Sequence, residues 1–156
     1  MGGGYGAGGG SDVVDHPAFR GLSAAAAEEA DRRLRTDIVG WLTTVDRQGT
    51  PTSSVVSFFW DGDTILFYSE PDTPKIRNVA ANPRVSFHLN CDEIGDEMVT
   101  LEGDCRVDDG APRSTDIPEY QAKYAEPYRR WGMDPGDTAT QFWLACRITV
   151  DRIRAW

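Results

Sequence analysis

The sequence predicts a mainly β protein (β+α), an antiparallel barrel of six to seven strands with a few short helices. Three observations carry this reading. Residues 98–107 alternate, with Val99, Leu101, Gly103, Cys105 and Val107 on one side and Thr100, Glu102, Asp104 and Arg106 on the other. That is the period of a strand with one buried face. Apolar runs are joined by short turns, Arg47-Gln48-Gly49 and Asp61-Gly62-Asp63, so strands adjacent in sequence are expected to pair antiparallel. Helical periodicity occupies only brief stretches, and many short strands with few helices form a barrel pattern.

Taken in order, the elements are as follows. Residues 1–15 are dominated by glycine (MGGGYGAGGGSD) and are expected to be a disordered tail, because glycine-rich chain buries too little to offset its ordering entropy. Residues 16–156 then form a single domain. Ser23 caps a helix reaching about Arg35. Glu28 and Glu29 lie toward its start and Arg32, Arg33 and Arg35 near its end, as the helix dipole favours. Ala27, Ala30 and Leu34 form the stripe that rests on the sheet. Strands are expected over residues 38–45, 52–60 and 65–69. The second carries Val56, Phe58 and Trp60 on one face and Val55 and Phe59 on the other; the third sets Ile65 and Phe67 against Leu66 and Tyr68. Strands apolar on both faces are covered on both sides, so the second cover is a partner subunit or a planar ligand.

A short helix opens at Thr73-Pro74-Lys75 and closes before Asn82-Pro83. Strands follow over 84–89 and 98–107. Residues 117–131 place Tyr120, Tyr124, Tyr128 and Trp131 at helical spacing, with Pro127 expected to kink or break the helix. Asp108-Asp109-Gly110 and Asp134-Pro135-Gly136-Asp137 read as loops of a substrate pocket formed by 108–140. The last apolar run covers 141–150, with Phe142, Leu144, Cys146, Ile148 and Val150 on one face, and a short end piece, 152–156, is expected beside it.

Composition narrows the function. The net charge of −9 repels nucleic acid and anionic membrane, which argues against both as partners. No apolar run approaches the roughly 18 residues of a membrane span, and no signal-peptide pattern opens the chain, so a cytoplasmic protein is expected. The three cysteines, Cys91, Cys105 and Cys146, form no CxxC, and His16 and His88 have no ligand spacing; no metal site is expected. Cys105 and Cys146 fall on apolar strand faces and read as buried free thiols.

The chemistry concentrates at one helix start. Thr73 stands at an N-cap position and Pro74 at the first helical position. Lys75 and Arg77 follow in the first turn, where they oppose the dipole unless an anion is present; that opposition costs only about 0.3–1 kcal/mol per charge, so the residues alone read equally as solvated surface charges. Trp60, Trp131 and Trp143 are candidates to line an apolar slot nearby, against the plainer reading of each as core or interface packing.

The run Phe67-Tyr68-Ser69, through Thr73-Pro74-Lys75-Ile76-Arg77-Asn78, to Asn82-Pro83-Arg84-Val85 resembles the pyridoxamine 5'-phosphate oxidase-like split β-barrel superfamily. With Trp60-Asp61-Gly62-Asp63 before it, the run is similar to the flavin/deazaflavin oxidoreductases of the B class, the coenzyme F420-dependent branch. The resemblance implies a homodimer with cofactor in a groove at the subunit interface. It implies that Lys75 holds the cofactor phosphate, that Thr73 adds a hydroxyl and a backbone N–H, that Tyr68 and Ser69 line the pocket, and that Ser54, Val55 and Val56 run along the ring edge. In the oxidase proper a basic pair precedes this helix; here Pro74 replaces its first member, and Arg77 is one turn late. The implied cofactor is coenzyme F420, with FMN as the alternative. The implied activity is hydride transfer to a small unsaturated substrate, with a non-catalytic, cofactor-sequestering dimer as the other reading. Against the acidic net charge, Lys75, Arg77, Arg84, Arg129 and Arg130 are expected to supply a local positive patch. No catalytic residue is assigned.

Overall fold

The connection between two strands dictates the shape of this molecule. The structure is a computed structural model that describes residues 15–156; the tail expected over 1–15 lies, Asp15 apart, outside the described residues. Seven strands, β1 (Gly40–Val45), β2 (Pro51–Val56), β3 (Phe59–Trp60), β4 (Thr64–Ser69), β5 (Arg84–His88), β6 (Val99–Val107) and β7 (Leu144–Ala155), form one sheet. Their order is β2-β1-β5-β6-β7-β4-β3, and the paired neighbours are antiparallel. The edge strands β2 and β3 are separated only by Ser57 and Phe58. In a flat sheet, seven strands would hold the two edges about 29 Å apart. Three residue steps span at most about 11 Å. The sheet therefore curls into a half-barrel whose edges meet at Ser57–Phe58.

The strand expected over 52–60 is thus two strands. Its first half pairs with β1 and its second half with β4. Periodicity alone could not show this, because alternation continues through the switch: Val56, Phe58 and Trp60 are all buried.

Four helices decorate the sheet: α1 (Ala24–Thr36), α2 (Pro74–Ala81), α3 (Pro118–Trp131) and α4 (Pro135–Gln141). Ser23 caps α1 by accepting the Ala26 N–H at 3.1 Å, and Ala27, Ala30 and Leu34 are buried as the stripe required. Inside the barrel, Leu42, Phe58, Phe67, Phe87, Leu101 and Ile148 are fully enclosed. Burying such side chains contributes about 1.5–3 kcal/mol each. Gly103 sits at the β-bulge of the β6–β7 ladder, where a Cβ would lie 2.1 Å from the Thr149 carbonyl oxygen.

Four expectations need correction. Val107 is exposed, although it still pairs with the buried Cys146 at the end of the β6–β7 ladder. The runs expected over 141–150 and 152–156 merge into one strand, β7, which begins only at Leu144, after Gln141 has ended α4, and pairs with β4 on one side and β6 on the other. Pro127 does not break α3. The cost of an internal proline, about 3 kcal/mol, is offset by burial of Tyr120, Tyr124 and Tyr128 on the same helix. The segment Asp134-Pro135-Gly136-Asp137 opens α4 instead of forming a loop; the Asp134 carboxylate accepts the Asp137 N–H at 2.9 Å, and Pro135 sits at the first turn. Among the described residues, no helix is long and apolar enough to cross a membrane.

Candidate functional site

A cleft of about 260 Å³ opens beside the strand switch. Val55, Val56 and Ser57 form one wall, and Tyr120, Tyr128 and Trp131 of α3 form another. Tyr68 from β4 and Lys75 from the start of α2 reach in from a third side. Ser114, Met133, Thr138 and Phe142 complete the rim. The walls are apolar or aromatic because they continue the packed interior: Val56 belongs to the barrel core, and Tyr120 and Tyr128 belong to the tyrosine face of α3. Tyr120, Tyr124 and Tyr128 form their own cluster, with Ile38, Phe59 and Tyr68 packed against it. Tyr120 stands edge-on to Tyr68, ring centres 5.7 Å apart, an arrangement aromatic quadrupoles favour.

Lys75 is the cation in this cleft. It is partly buried, and burial lowers its pKa from the ordinary lysine value; Cys146 and Glu70 act weakly in the other direction. Among the described residues no carboxylate lies within ion-pair distance of it. An ammonium in that state can pair with an external anion.

The structure gathers Val55, Val56, Tyr68 and Lys75 around the cleft and sets the other sequence-derived candidates nearby but outside its lining. Ser54 lies on β2 opposite Leu42. Ser69 is buried; its hydroxyl donates to the Glu70 carbonyl at 2.7 Å and lies 3.2 Å from the Thr73 hydroxyl. Thr73 makes no side-chain cap; its carbonyl instead accepts the Ile76 N–H at 3.1 Å. Pro74 occupies the first turn of α2 and is exposed. Arg77 is exposed and donates back to the Asp72 carbonyl at 3.0 Å. The wider basic patch does not form at the cleft. Arg84 is bound to Asp104 and Asp151, at 2.9 and 2.5 Å, and Arg129 to Glu126 at 2.6 Å. Of the three tryptophans, Trp60 is core, Trp143 is exposed, and Trp131 lines the cleft.

Three tyrosines face the cleft, and none is poised to ionise near neutral pH. The Tyr68 hydroxyl donates to the Pro112 carbonyl at 2.6 Å, and burial pushes its pKa up to about 12. Burial also raises Tyr120 and Tyr128.

Sequence reasoning missed the pair that holds the switch. Phe58 lies between two ladders, so its backbone groups need other partners. The Tyr124 hydroxyl accepts the Phe58 N–H at 2.9 Å and donates to the Ile38 carbonyl at 2.6 Å. Lys123 Nζ donates to the Phe58 carbonyl at 2.9 Å and stands 3.8 Å from the centre of the Phe58 ring. No sequence signal separates Lys123 from any other polar helix position.

A half-barrel closed by a strand switch, with an aromatic cleft and one unpaired ammonium beside it, defines a class of small split-barrel proteins. The chain belongs to the pyridoxamine 5'-phosphate oxidase family, whose family model matches residues 26–156. General stress protein 26 of Bacillus subtilis (strain 168) is 35% identical over 75 residues, 47% of this chain and 53% of that protein. The chain thus spans about half the length of this curated relative. Among solved structures, HutZ, the heme storage protein from Vibrio cholerae, superposes with a TM-score of 0.57 at 20% identity, over 82% of this chain and 93% of that chain. An F420 reductase superposes with a TM-score of 0.53 at 26% identity, over 80% and 93% respectively.

Proposed function

We propose that the cleft binds a tricyclic redox cofactor with an anionic tail, coenzyme F420, and that the protein is an oxidoreductase reducing a small unsaturated organic molecule. The observation that carries this is Lys75: a partly buried ammonium with no carboxylate partner at the edge of an aromatic slot. The residues present fit such a group. Val55 and Val56 offer a flat apolar wall with strand backbone along it, Tyr68 closes one side, and Lys75 takes the phosphate. Ser69, Thr73 and Pro74 shape the turn that aims Lys75, Arg77 follows it on α2, and Ser54 precedes the Val55–Val56 wall on β2. The likeness to an F420 reductase supports the deazaflavin over FMN, which shares ring, ribityl chain and phosphate.

The cofactor supplies the hydride chemistry. The chain's own work is to orient the ring, exclude water and hold the tail. The cleft is smaller than the roughly 300–1,000 Å³ of typical ligand sites, and Val55, Trp131 and Met133 on its lining stay exposed. We read this as a groove completed by a second copy of the chain in a homodimer. A second reading keeps the cofactor and drops the turnover: it is favoured by the absence, among the described cleft residues, of a tyrosine with a pKa near neutrality.

The test is direct titration of apo-protein with F420 and with FMN, followed by fluorescence. Lys75→Ala is expected to weaken binding of the preferred cofactor by at least about 1.5 kcal/mol, the low end for a hydrogen bond to a charged group. Unchanged affinity would move the anion site elsewhere, and tight FMN binding with none of F420 would reverse the choice of cofactor. Turnover of reduced cofactor over quinones, enones and imines separates the enzyme from the sequestering protein.

A further inference from the structure

The cleft wall formed by Val55, Val56 and Ser57 runs straight into the switch at Phe58. Where the ladder lapses, nothing in the sheet fixes that segment. Its backbone is held by two consecutive residues of α3: Lys123 on the carbonyl at 2.9 Å, and Tyr124 on the N–H, its hydroxyl also lying 3.1 Å from that carbonyl. The facing wall, Tyr120 and Tyr128, hangs from the same helix. The contacts that close the barrel therefore also set the spacing between the two walls. We infer that Lys123 is a positioning residue: together with the Tyr124 hydroxyl it clamps the strand switch, and so fixes the cleft at the width its ligand needs. This rests on the reading of the cleft as a cofactor site.

The clamp has a built-in pH dependence. The Lys123 ammonium is desolvated. The charged group facing it from outside α3 is Asp37, in the segment between α1 and β1, and Asp37 is already paired with Arg33 at 2.6 Å. The switch offers only the Phe58 carbonyl and ring, and α3 itself adds Tyr124. Burial pushes the Lys123 pKa down to about 8. A lysine released into water returns to about 10.4. Between those values the open form binds more protons than the closed one, so raising the pH favours closure. Lys75 works with the opposite sign: losing its proton weakens an anion site. The two lysines thus push ligand affinity in opposite directions as pH rises.

Amide exchange at Val56, Ser57 and Phe58, read as protection factors, tests the clamp in the whole protein without any ligand. Protection in the wild type is expected to rise about tenfold between pH 7 and pH 9. Lys123→Arg keeps the charge throughout and should stay flat across that window; Lys123→Met should be flat and poorly protected, and Tyr124→Phe poorly protected at every pH. Protection left unchanged by both Lys123→Met and Tyr124→Phe overturns the clamp; protection that is flat in the wild type, or that rises equally in Lys123→Arg, overturns its pH dependence. FMN and F420 are then titrated over the same window. The ratio of wild-type to Lys123→Arg affinity should rise with pH; a constant ratio beside changing protection overturns the positioning role. If neither probe binds at any pH, the cofactor reading fails, while the exchange data still decide whether Lys123 holds the wall.

Discussion

Asp31 shows how single residues tie this fold together. It is buried on the inner face of α1, where a lone carboxylate would be costly. It accepts the Trp60 indole N–H at 2.8 Å and the Arg35 Nε–H at 2.9 Å. One carboxylate therefore anchors α1 to the short strand β3, which otherwise holds to β4 through two residues. Asp31→Ala is expected to cost about 1–3 kcal/mol in urea denaturation, because it leaves a buried indole N–H unpaired. Asp31→Asn, which keeps an acceptor, should cost clearly less; equal losses for both would show that charge, not the hydrogen bond, holds Trp60. Lys75 and Lys123 illustrate the converse. Both are partly buried amines whose charge the surroundings disfavour. One faces an open cleft and suits an external anion, and the other is bound to a carbonyl and suits a structural task.

At the scale of elements, the β6–β7 ladder is the barrel's spine. It pairs Val99 with Ala155 at one end and Val107 with Cys146 at the other. The register shifts at a bulge between Glu102 and Gly103, and the missing side chain at Gly103 lets the Thr149 carbonyl pass within 2.1 Å of where a Cβ would be. Gly103→Ala must push backbone against backbone, and about 1–3 kcal/mol is expected from overpacking of this kind. Gly110→Ala is the control: its Cβ would meet only the Asp108 carboxylate at 3.6 Å, so its effect should stay within about 0.5 kcal/mol. Thermal melts of the two variants check this, and similar shifts in both would mean the ladder can yield at the bulge. Helix α4 carries a different lesson. Its Asp-Pro-Gly-Asp opening has the residues of a turn, but the same Asp and Pro are an N-cap and a first helical residue. Which role they take depends on whether Ala139 finds a surface to bury against, and it does.

For the whole molecule, the curl of the sheet creates the cleft. A flat sheet would carry Val55 on one edge and Tyr68 five strands away, on β4; the two-residue switch brings them to one cavity. The cleft remains shallow in one chain, and Trp143 is 56% exposed outside it. If two copies share the groove, sedimentation equilibrium should give twice the mass of one chain, and Trp143→Glu should shift it toward one. A protein that stays monomeric at every concentration would leave the cofactor half covered and sink the shared-groove reading.

Much of this was legible in the residues themselves. The alternation from Val99 to Cys105, the cap at Ser23 and the turn at Asp61-Gly62-Asp63 depend on neighbours within a few positions, so period and turn chemistry suffice to read them. The start of α2 was legible for the same reason, and Lys75 with it. The switch at Ser57–Phe58, the unbroken course of α3 through Pro127 and the clamp by Lys123 were not. Each is settled by a partner dozens of residues away: Tyr124 meets Phe58 across 66 positions. Local chemistry determined that the chain makes short antiparallel strands and a basic helix start. Only closure of the sheet decided which backbone groups were left without ladder partners, which side chains took them, and which residues came together as a cleft, because those outcomes depend on how far apart the two sheet edges can be.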